Sequence, residues 1–293
     1  MIRTGGARFD PDEGNIVFIA SNSGTLSNAI DHHGNVLIAV NELGSEQSIK
    51  LVTEWTDNGA NVFIDSGIFF LTQEHKKAHG ISMDEALGLA PEKIDGFQKL
   101  FDRYIDIVEL FKDKCWGYIE LDQGGMHNKI KTRAKLEGMG LRPIPVYHPF
   151  NDGWDYFDYL AENYDRICFG NIVQANQSTR DRLIATAWER KRKHPKLWIH
   201  LLGYTPNQNL YSYPINSGDS SAWIAPMRWN DHRCHASGTN FAQLSKHYRY
   251  KLGDAEQRDK MIGILGRDSK ISEMNWRHSL QELKDLGFET TSP

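Results

Sequence analysis

The chain has few cysteines, no long apolar run and no excess of positive charge. Its 293 residues include three cysteines, Cys115, Cys168 and Cys234. An odd, sparse set of this kind does not form the disulfide framework of small secreted proteins. No stretch approaches the ~20 apolar residues of a membrane helix, and the first residues lack the apolar core of a signal peptide. We therefore expect a soluble, cytoplasmic protein that makes no membrane contact.

The composition is that of an ordinary globular protein. Hydrophobic residues make up 40% of the chain and charged residues 25%, which is enough for a sizeable core. The formal net charge of −4 argues against a uniformly basic coat for nucleic acid. It leaves a local basic stripe possible, because positive charge is needed only where phosphates lie.

Short apolar runs alternate with longer amphipathic segments along the chain, a pattern typical of parallel βα units. The predicted strands cover residues 16–20, 36–40, 61–64, 115–121, 144–147, 166–169, 197–202 and 222–225. The predicted helices cover residues 45–58, 82–112 with a break at Pro91, 128–139, 152–164, 179–193, 206–211, 254–265 and 273–286. Eight buried-looking strands separated mainly by helices favour an α/β fold of the (β/α)₈ TIM-barrel type.

We expect one TIM-barrel domain over residues 1–293, with a core at about 14–226 and a C-terminal helical extension at about 240–288. The alternative is an open doubly wound sheet, which would normally carry a G-x-G-x-x-G phosphate loop that this sequence lacks. The first two strands are open to a second interpretation, because His33, Gly34 and Asn35 could form the turn of a simple hairpin.

Polar residues follow several of the predicted strands. In a TIM barrel the active site forms at the C-terminal ends of the strands, so these residues are candidates for chemistry. The set comprises Asp65, Asp122, His148, His200 and Asp219. A single carboxylate after a strand is often only a helix N-cap, but several together favour a shared pocket. Two carboxylates in one pocket can divide labour, one attacking an electrophilic carbon while the other moves a proton.

The motifs around these residues resemble those of the tRNA-guanine transglycosylase superfamily. The run FIDSGIF at 63–69 resembles the family's Asp-Ser-Gly-Gly-(Phe/Tyr)-Gln signature, and HLLGYT at 200–205 resembles its Tyr-Leu-Met-Gly-Val-Gly segment. GLRPIPVYH at 140–148 and YDRICFG at 164–170 also resemble the middle of that superfamily. The likeness covers about residues 62–223, and the compact members that insert 7-deazaguanine bases into DNA look most similar.

The resemblance implies base exchange in a nucleic acid, with roles assigned position by position. Asp219 would attack C1′ of a guanosine to form a covalent intermediate, and Asp65 would act as general acid and base. Asp122 and Gly170 would contact the base, while Phe69 and Leu202 would sandwich its ring. Further substrate contacts are expected from Ser66, His148, Asn171, His200 and Gly203. The polymer would be DNA in preference to tRNA, and the incoming base a 7-deazaguanine such as preQ0.

The sequence departs from the family pattern at several positions. Ile68 replaces the second glycine and Phe70 replaces the glutamine, which puts the usual base-recognition contacts in question. The zinc motif of the tRNA enzymes is absent, and we interpret His232, Arg233, Cys234 and His235 as a surface loop. We therefore predict no cofactor and no metal.

Basic residues near the expected active face are candidate nucleic-acid contacts: Lys129, Lys131, Arg133, Arg228 and Arg233. Two other functions stay open at this point. One is a metal-dependent TIM-barrel hydrolase with His148, His200 and Asp219 as ligands. The other is a nucleic-acid-binding barrel without catalytic activity, since the altered glutamine position removes a family feature.

Overall fold

A computed structural model of the chain describes residues 1–205, 215–225, 227 and 255–287. Its centre is an eight-stranded parallel sheet. The strands are β1 (Ile16–Ala20), β2 (Asn35–Ala39), β3 (Asn61–Asp65), β4 (Gly117–Tyr118), β5 (Val146–Tyr147), β6 (Arg166–Phe169), β7 (Trp198–Leu201) and β8 (Ser217–Ser220).

The sheet closes into a barrel. The strand order is β4-β3-β2-β1-β8-β7-β6-β5, and every observed pairing is parallel. A parallel bridge between Ile119 and Ile144 joins the two end strands, β4 and β5. The amide of Ile144 donates to the carbonyl of Tyr118 at 2.8 Å, and the amide of Glu120 donates to the carbonyl of Ile144 at 3.1 Å. The predicted α/β barrel class is therefore confirmed.

Helices lie between the strands, as expected for right-handed crossover connections between parallel strands. In the described residues they are α1 (Ser23–Ser27), α2 (Ile30–His33), α3 (Glu46–Asp57), α4 (Ile68–His79), α5 (Met83–Gly88), α6 (Phe97–Phe111), α7 (Gly125–Gly138), α8 (Trp154–Asn163), α9 (Gln177–Lys191) and α10 (Ala255–Asp285). Ser45 begins α3 through a capping box, and Ser82 begins α5 in the same way.

Aromatic side chains fill the barrel interior. The ring of Trp116 packs against those of Phe18 and Phe63, with centroids 4.9 Å apart in both pairs. Phe9, from the segment before β1, lies edge-on to Trp116 and Trp198. The guanidinium of Arg166 stacks 4.0 Å from the Phe9 ring and donates to backbone carbonyls of Thr4 and Gly5 among others. These side chains fill the barrel interior near the amino ends of the strands.

Helix α10 packs on the outside of the barrel. The carboxylate of Glu273 accepts from the amide of Val17 at 2.7 Å and from the side chain of Asn35 at 3.0 Å. A Cβ at Gly266 would lie 2.9 Å from that of Ala29, so the glycine permits close contact with the α2 region. The sequence predicts two C-terminal helices, 254–265 and 273–286, whereas the structure has one continuous helix over Ala255–Asp285.

Several predicted elements need correction. Strand eight is Ser217–Ser220, whereas residues 222–224 form a turn of 3₁₀ helix. The predicted position followed the apolar run after Ser221, but the true strand is recognisable only by its partners β1 and β7. Helix α4 was not predicted. Residues 33–35 do not turn a hairpin, because α2 ends at His33 with Gly34 as its C-cap and β1 and β2 are parallel. The predicted helix 206–211 lies outside the described residues.

None of the helices over residues 1–205, 215–225 and 255–287 is both long enough and apolar enough to cross a membrane.

Candidate active site

A cavity of about 220 Å³ opens at the carboxyl ends of the strands. Its polar groups come from β3 and β8 themselves and from segments that follow β3, β4, β5, β6 and β7. The lining side chains and glycines are Leu37, Asp65, Ile68, Phe69, Thr72, Leu87, Asp122, Gln123, His148, Gly170, Asn171, Val173, Leu202, Gly203 and Asp219. A barrel with a carboxylate pocket at this end has the layout of an enzyme.

Asp65 is the last residue of β3, and its carboxylate faces the cavity. Burial raises its pKa to about 7. A hydrogen bond from the Gly67 amide to Oδ2, 3.0 Å long, acts against that rise, and the charges of Asp122 and Asp219 add to it. Gly67 has φ of +75°, and a Cβ there would lie 2.5 Å from Oδ1 of Asn41. The backbone conformation that delivers this amide therefore requires glycine.

Asp122 follows β4 and is paired with His148, which follows β5. Their atoms Oδ2 and Nε2 lie 2.7 Å apart. Burial raises the pKa of Asp122, but the hydrogen bond and charge of His148, with help from Lys129, outweigh it and bring the pKa below its ordinary value. Asp65 and Asp122 line the same cavity, yet their pKa values are shifted in opposite directions. Environments that separate two acids in this way are typical of sites that use one as an acid and the other as an anion.

Asp219 lies within β8 and ends a chain of buried hydrogen bonds. The indole of Trp198 donates to Ser217 Oγ at 2.7 Å, and Ser217 Oγ lies 2.9 Å from His200 Nδ1. Nε2 of His200 then lies 3.1 Å from Oδ1 of Asp219. With the Ser217 hydroxyl donating to Nδ1, the network assigns the proton of a neutral His200 to Nε2, where it donates to Asp219. The amide of Gly203 donates to the same oxygen at 2.9 Å, so this carboxylate is held at a fixed position.

Two residues after β6 shape the floor of the cavity. A Cβ at Gly170 would lie 3.0 Å from the His148 ring, so the glycine makes room for that ring. Asn171 has φ of +61°, a left-handed conformation that is uncommon for a residue with a side chain. Its side-chain nitrogen donates to Asn151 at 3.3 Å, while its buried Oδ1 has no protein partner. Backbone strain with an unsatisfied polar atom is often found where a ligand binds.

The opposite wall is mostly apolar and comes from α4 and α5. Phe69 and Leu87 face the cavity, and Gln123 holds this wall to the barrel. The Gln123 side chain donates to the carbonyls of Ala86 at 2.8 Å and Leu89 at 2.9 Å. It also accepts from the Thr72 hydroxyl at 2.9 Å. Sequence analysis missed this residue, although its position directly after Asp122 at the end of β4 was the available signal.

Most of the predicted site residues meet at this cavity. Nine of them line it: Asp65, Phe69, Asp122, His148, Gly170, Asn171, Leu202, Gly203 and Asp219. His200 lies behind Asp219 and reaches the cavity only through it. Ser66 is fully buried, with its hydroxyl 3.5 Å from the Ile68 amide. The lining residues that sequence analysis missed are Leu37, Ile68, Thr72, Leu87, Gln123 and Val173.

Two of the predicted nucleic-acid contacts are wrong. Lys129 is buried, donates to the Val146 carbonyl at 2.9 Å and forms an ion pair with Asp152. Arg133 is 2% exposed and pairs with Glu120 at 2.7 Å. Neither cation can reach a phosphate, because the inward face of α7 carries both. Lys131 is exposed and lies 3.9 Å from Glu92. Arg228 and Arg233, like the loop residues His232, Cys234 and His235, fall outside the described residues.

Comparisons with known proteins give only distant likenesses. No family model matches the chain, and no curated protein matches it. Among solved structures, one described as "Native KDPGal structure" is 12% identical with a TM-score of 0.46, covering 90% of this chain and 96% of that one. A designed cube-shaped, highly porous protein cage is 15% identical with a TM-score of 0.42, covering 94% of this chain and 87% of that one. At this distance neither protein indicates what the present chain binds.

These comparisons overturn the transglycosylase assignment. No family model supports the resemblance, and neither of these solved structures is described as a transglycosylase. The predicted base exchange in DNA or tRNA, in which a 7-deazaguanine replaces guanine, is therefore wrong. Short motifs such as Asp-Ser-Gly recur wherever a strand ends at a tight turn, here because Gly67 must present its amide to Asp65.

The two alternatives fail as well. His148 and His200 use their Nε2 atoms in separate pairs with Asp122 and Asp219. In the described part of the chain, one group of three His, Cys, Asp or Glu side chains has ligand atoms within 4.8 Å of each other. It lies on α4 and the segment before α6, away from this cavity. The hydrolase metal site proposed from His148, His200 and Asp219 is therefore wrong. A barrel that only binds nucleic acid loses its basis once Lys129 and Arg133 are buried.

Proposed function

We propose that the protein is an enzyme that performs general acid–base catalysis on one small organic molecule in the carboxylate cavity. The observation that carries the proposal is Asp65, a cavity-facing carboxyl group whose burial raises its pKa to about 7. A group with this pKa is partly protonated at neutral pH and can both donate and accept a proton. Asp219 and Asp122 supply two further carboxylates in the same space.

Asp65 serves as the acid. Its proton goes to a basic oxygen, nitrogen or carbon of the bound molecule, which gains positive charge as Asp65 becomes a carboxylate. The Gly67 amide, already 3.0 Å from Oδ2, stabilises that carboxylate. In the reverse direction the same carboxylate removes the proton, so Asp65 covers both halves of a proton-transfer cycle.

Asp219 stabilises the positive charge that develops on the bound molecule. It is suited to this because His200 and the Gly203 amide fix its position before the reaction, and preorganised groups need little rearrangement when charge appears. His200 is a positioning residue, since it acts through Asp219 and does not line the cavity. Asp122, which is held by His148, stabilises the same positive charge from another side of the cavity.

The lining also indicates which molecules fit. Three carboxylates face the cavity, and neither lysine nor arginine is among its described lining residues. A phosphate or carboxylate ligand would meet like charge there, whereas a neutral or cationic molecule would not. None of these described lining residues can therefore supply the amine of imine-forming chemistry. Leu37, Phe69 and Leu202 add apolar surface, so the ligand carries an apolar face.

A turnover screen tests the proposal. Wild-type protein is incubated near pH 7 with a library of small neutral, cationic and anionic metabolites, and mass spectrometry follows loss of substrate. We expect turnover confined to neutral or cationic compounds and reduced by at least about 100-fold in Asp65→Asn, the usual contribution of a general acid. Asp106→Asn, on the exposed face of α6, is the matched control and retains full activity.

A second measurement tests the central claim without a substrate. The carboxyl carbon of Asp65 is assigned by comparing NMR spectra of wild type and Asp65→Asn, and its titration is followed from pH 3 to 9. A midpoint near 7 is expected. A midpoint near 4 removes the proton donor at neutral pH, and the proposed acid role fails with it.

A further inference from the structure

A second group of side chains with no part in the cavity lies on the outside of the barrel. His75 and His79 are four residues apart on α4, so one face of the helix presents both rings. The ring centroids are 4.1 Å apart. Asp95, from the segment between the 3₁₀ turn at Pro91–Lys93 and α6, completes the group.

The donor atoms of these three residues converge on one point. Oδ2 of Asp95 lies 2.7 Å from Nε2 of His79 and 3.2 Å from Nδ1 of His75. Ligands of a tetrahedral zinc ion stand roughly 3.3 Å apart when each bond is about 2.0–2.1 Å long. Small side-chain adjustments therefore place all three atoms around one ion.

One ring nitrogen of His75 has two polar neighbours of opposite kind. Its Nδ1 lies 3.2 Å from the backbone amide of Asp95, a donor, and 3.2 Å from the Asp95 carboxylate, an acceptor. One ring nitrogen carries either a proton or a lone pair, so each protonation state leaves one of these contacts unfavourable. The ring is 5% exposed, which limits the water that could relieve the conflict. A cation between the nitrogen and the carboxylate removes the repulsion between them.

We infer that His75, His79 and Asp95 form a binding site for a divalent transition-metal ion of the zinc type. Two imidazoles and a carboxylate are a donor set that zinc accepts, with a water molecule in the fourth position. The exposed fractions of His79 and Asp95, 50% and 71%, leave that position open to solvent.

The site joins α4, which contributes to one wall of the cavity, to the segment that leads into α6. Helix α4 carries Ile68, Phe69 and Thr72 at its beginning and the two histidines near its end, about 10 Å further along the axis from Thr72 to His79. Asp95 belongs to the segment that leads into α6. A bound ion therefore fixes the far end of α4 to the neighbouring connection, and its role is structural because it does not reach the cavity.

Zinc titration of the full chain tests this inference. The protein is treated with chelator, dialysed and titrated with ZnCl₂ by calorimetry, and the Tm is recorded with and without zinc. We expect one ion per chain and a higher Tm with zinc. In His79→Ala and in Asp95→Asn, we expect affinity to fall by more than the 10- to 100-fold typical of removing an outer partner of a metal ligand. Co²⁺ bound in place of zinc should give the visible absorption of a low-coordinate site.

His278→Ala is the matched control. His278 is also an exposed histidine in an i,i+4 pair, 3.2 Å from Glu282 on α10, and its loss should leave zinc binding unchanged. Tm shifts are compared within each variant, so a variant that folds less stably remains informative. The inference is overturned if wild type binds no zinc, or if His79→Ala binds zinc as wild type does. It is equally overturned if Cys234→Ser alone abolishes binding, since the ion then belongs to residues 232–235. None of these outcomes depends on the acid–base proposal.

Discussion

The inward face of α7 and the carboxylate cavity lie next to each other in the fold, but they differ in how their charged side chains are paired. On the inward face of α7, Arg133 bonds Glu120 at 2.7 Å and the hydroxyls of Tyr164 and Tyr156 at 3.0 and 3.2 Å. At the cavity, Asp65 has no cationic partner among the residues that the structure describes, and it accepts from a backbone amide. A buried charge with a full set of partners stabilises a structure only while the set is complete. Burial without a cationic partner raises the pKa of Asp65 to about 7, so this carboxyl group is available for proton transfer near neutral pH.

The largest expected effect comes from breaking the paired region. Arg133→Met leaves the carboxylate of Glu120 buried without its cation. We expect the free energy of unfolding to fall by about 3–5 kcal/mol in a urea titration. The double variant Arg133→Met/Glu120→Gln should recover part of the loss. If the free energy of unfolding of Arg133→Met falls by less than about 1 kcal/mol, the ion pair on α7 does not stabilise the fold as proposed.

The second prediction concerns the unpaired carboxyl group and pH. The pKa of Asp65 is about 7 in the folded protein and near 3.8 when unfolded. The folded state therefore binds the proton more tightly, and this stabilises the fold fully below about pH 4. The contribution disappears as pH rises through 7. Asp65→Asn lacks this dependence, so its stability relative to wild type should improve by about 2–4 kcal/mol between pH 4 and pH 8.

Urea titrations of both proteins at several pH values measure that difference, and the titrating groups that do not interact with Asp65 cancel between them. A difference that stays constant from pH 4 to pH 8 would show that Asp65 ionises as an ordinary carboxyl group.

A smaller effect is expected where the cavity wall is fixed by neutral hydrogen bonds. Gln123→Ala leaves the carbonyls of Ala86 and Leu89 without their donor, and we expect a loss of about 1–3 kcal/mol. Hydrogen exchange should speed up most in α5, whose residues lie at this contact. Uniform acceleration over the whole barrel would mean that Gln123 supports the fold in general and not this wall.

The smallest effect is expected for a charge on the outer surface of α7. Lys131 lies 3.9 Å from Glu92, and both side chains are more than half exposed. Lys131→Ala should change the free energy of unfolding by less than about 1 kcal/mol. Comparison with Arg133→Met on the same helix then separates the effect of burial from that of helix position.

Much of the fold could be predicted from the sequence, because buried parallel strands appear as short apolar runs. The bounds of β1 and β6 agree with prediction to the residue. Strand β8 could not be located in this way: its residues Ser217–Ser220 are polar or glycine, and its position depends on pairing with β1 and β7. Helix α4 was missed because its inward and outward positions both carry aromatic and aliphatic residues, which obscures the helical period.

The positions of the site residues were more predictable than their roles. A polar residue at a strand end has a defined place in a barrel, so Asp65, Asp122 and Asp219 could be grouped. Whether a charged residue faces the cavity or a buried partner depends on helix rotation by a fraction of a turn. Lys129 and Arg133 were misassigned for this reason. Function inferred from short motifs failed because a turn geometry, which the motifs share, does not specify a substrate.

Few backbone hydrogen bonds close the barrel between β4 and β5. Each of these strands has two residues, and a single bridge joins them. The amide of Val146 finds its acceptor in the Glu120 side chain, at 2.7 Å, where a sheet would ordinarily supply a carbonyl. A side chain thus replaces a backbone carbonyl as the acceptor, and a hydrogen bond from Arg133 to its other oxygen holds that side chain in place. The closure of the barrel therefore depends on the side chain of Glu120. Loss of its charge would weaken the contact between β4 and β5, next to the pair formed by Asp122 and His148.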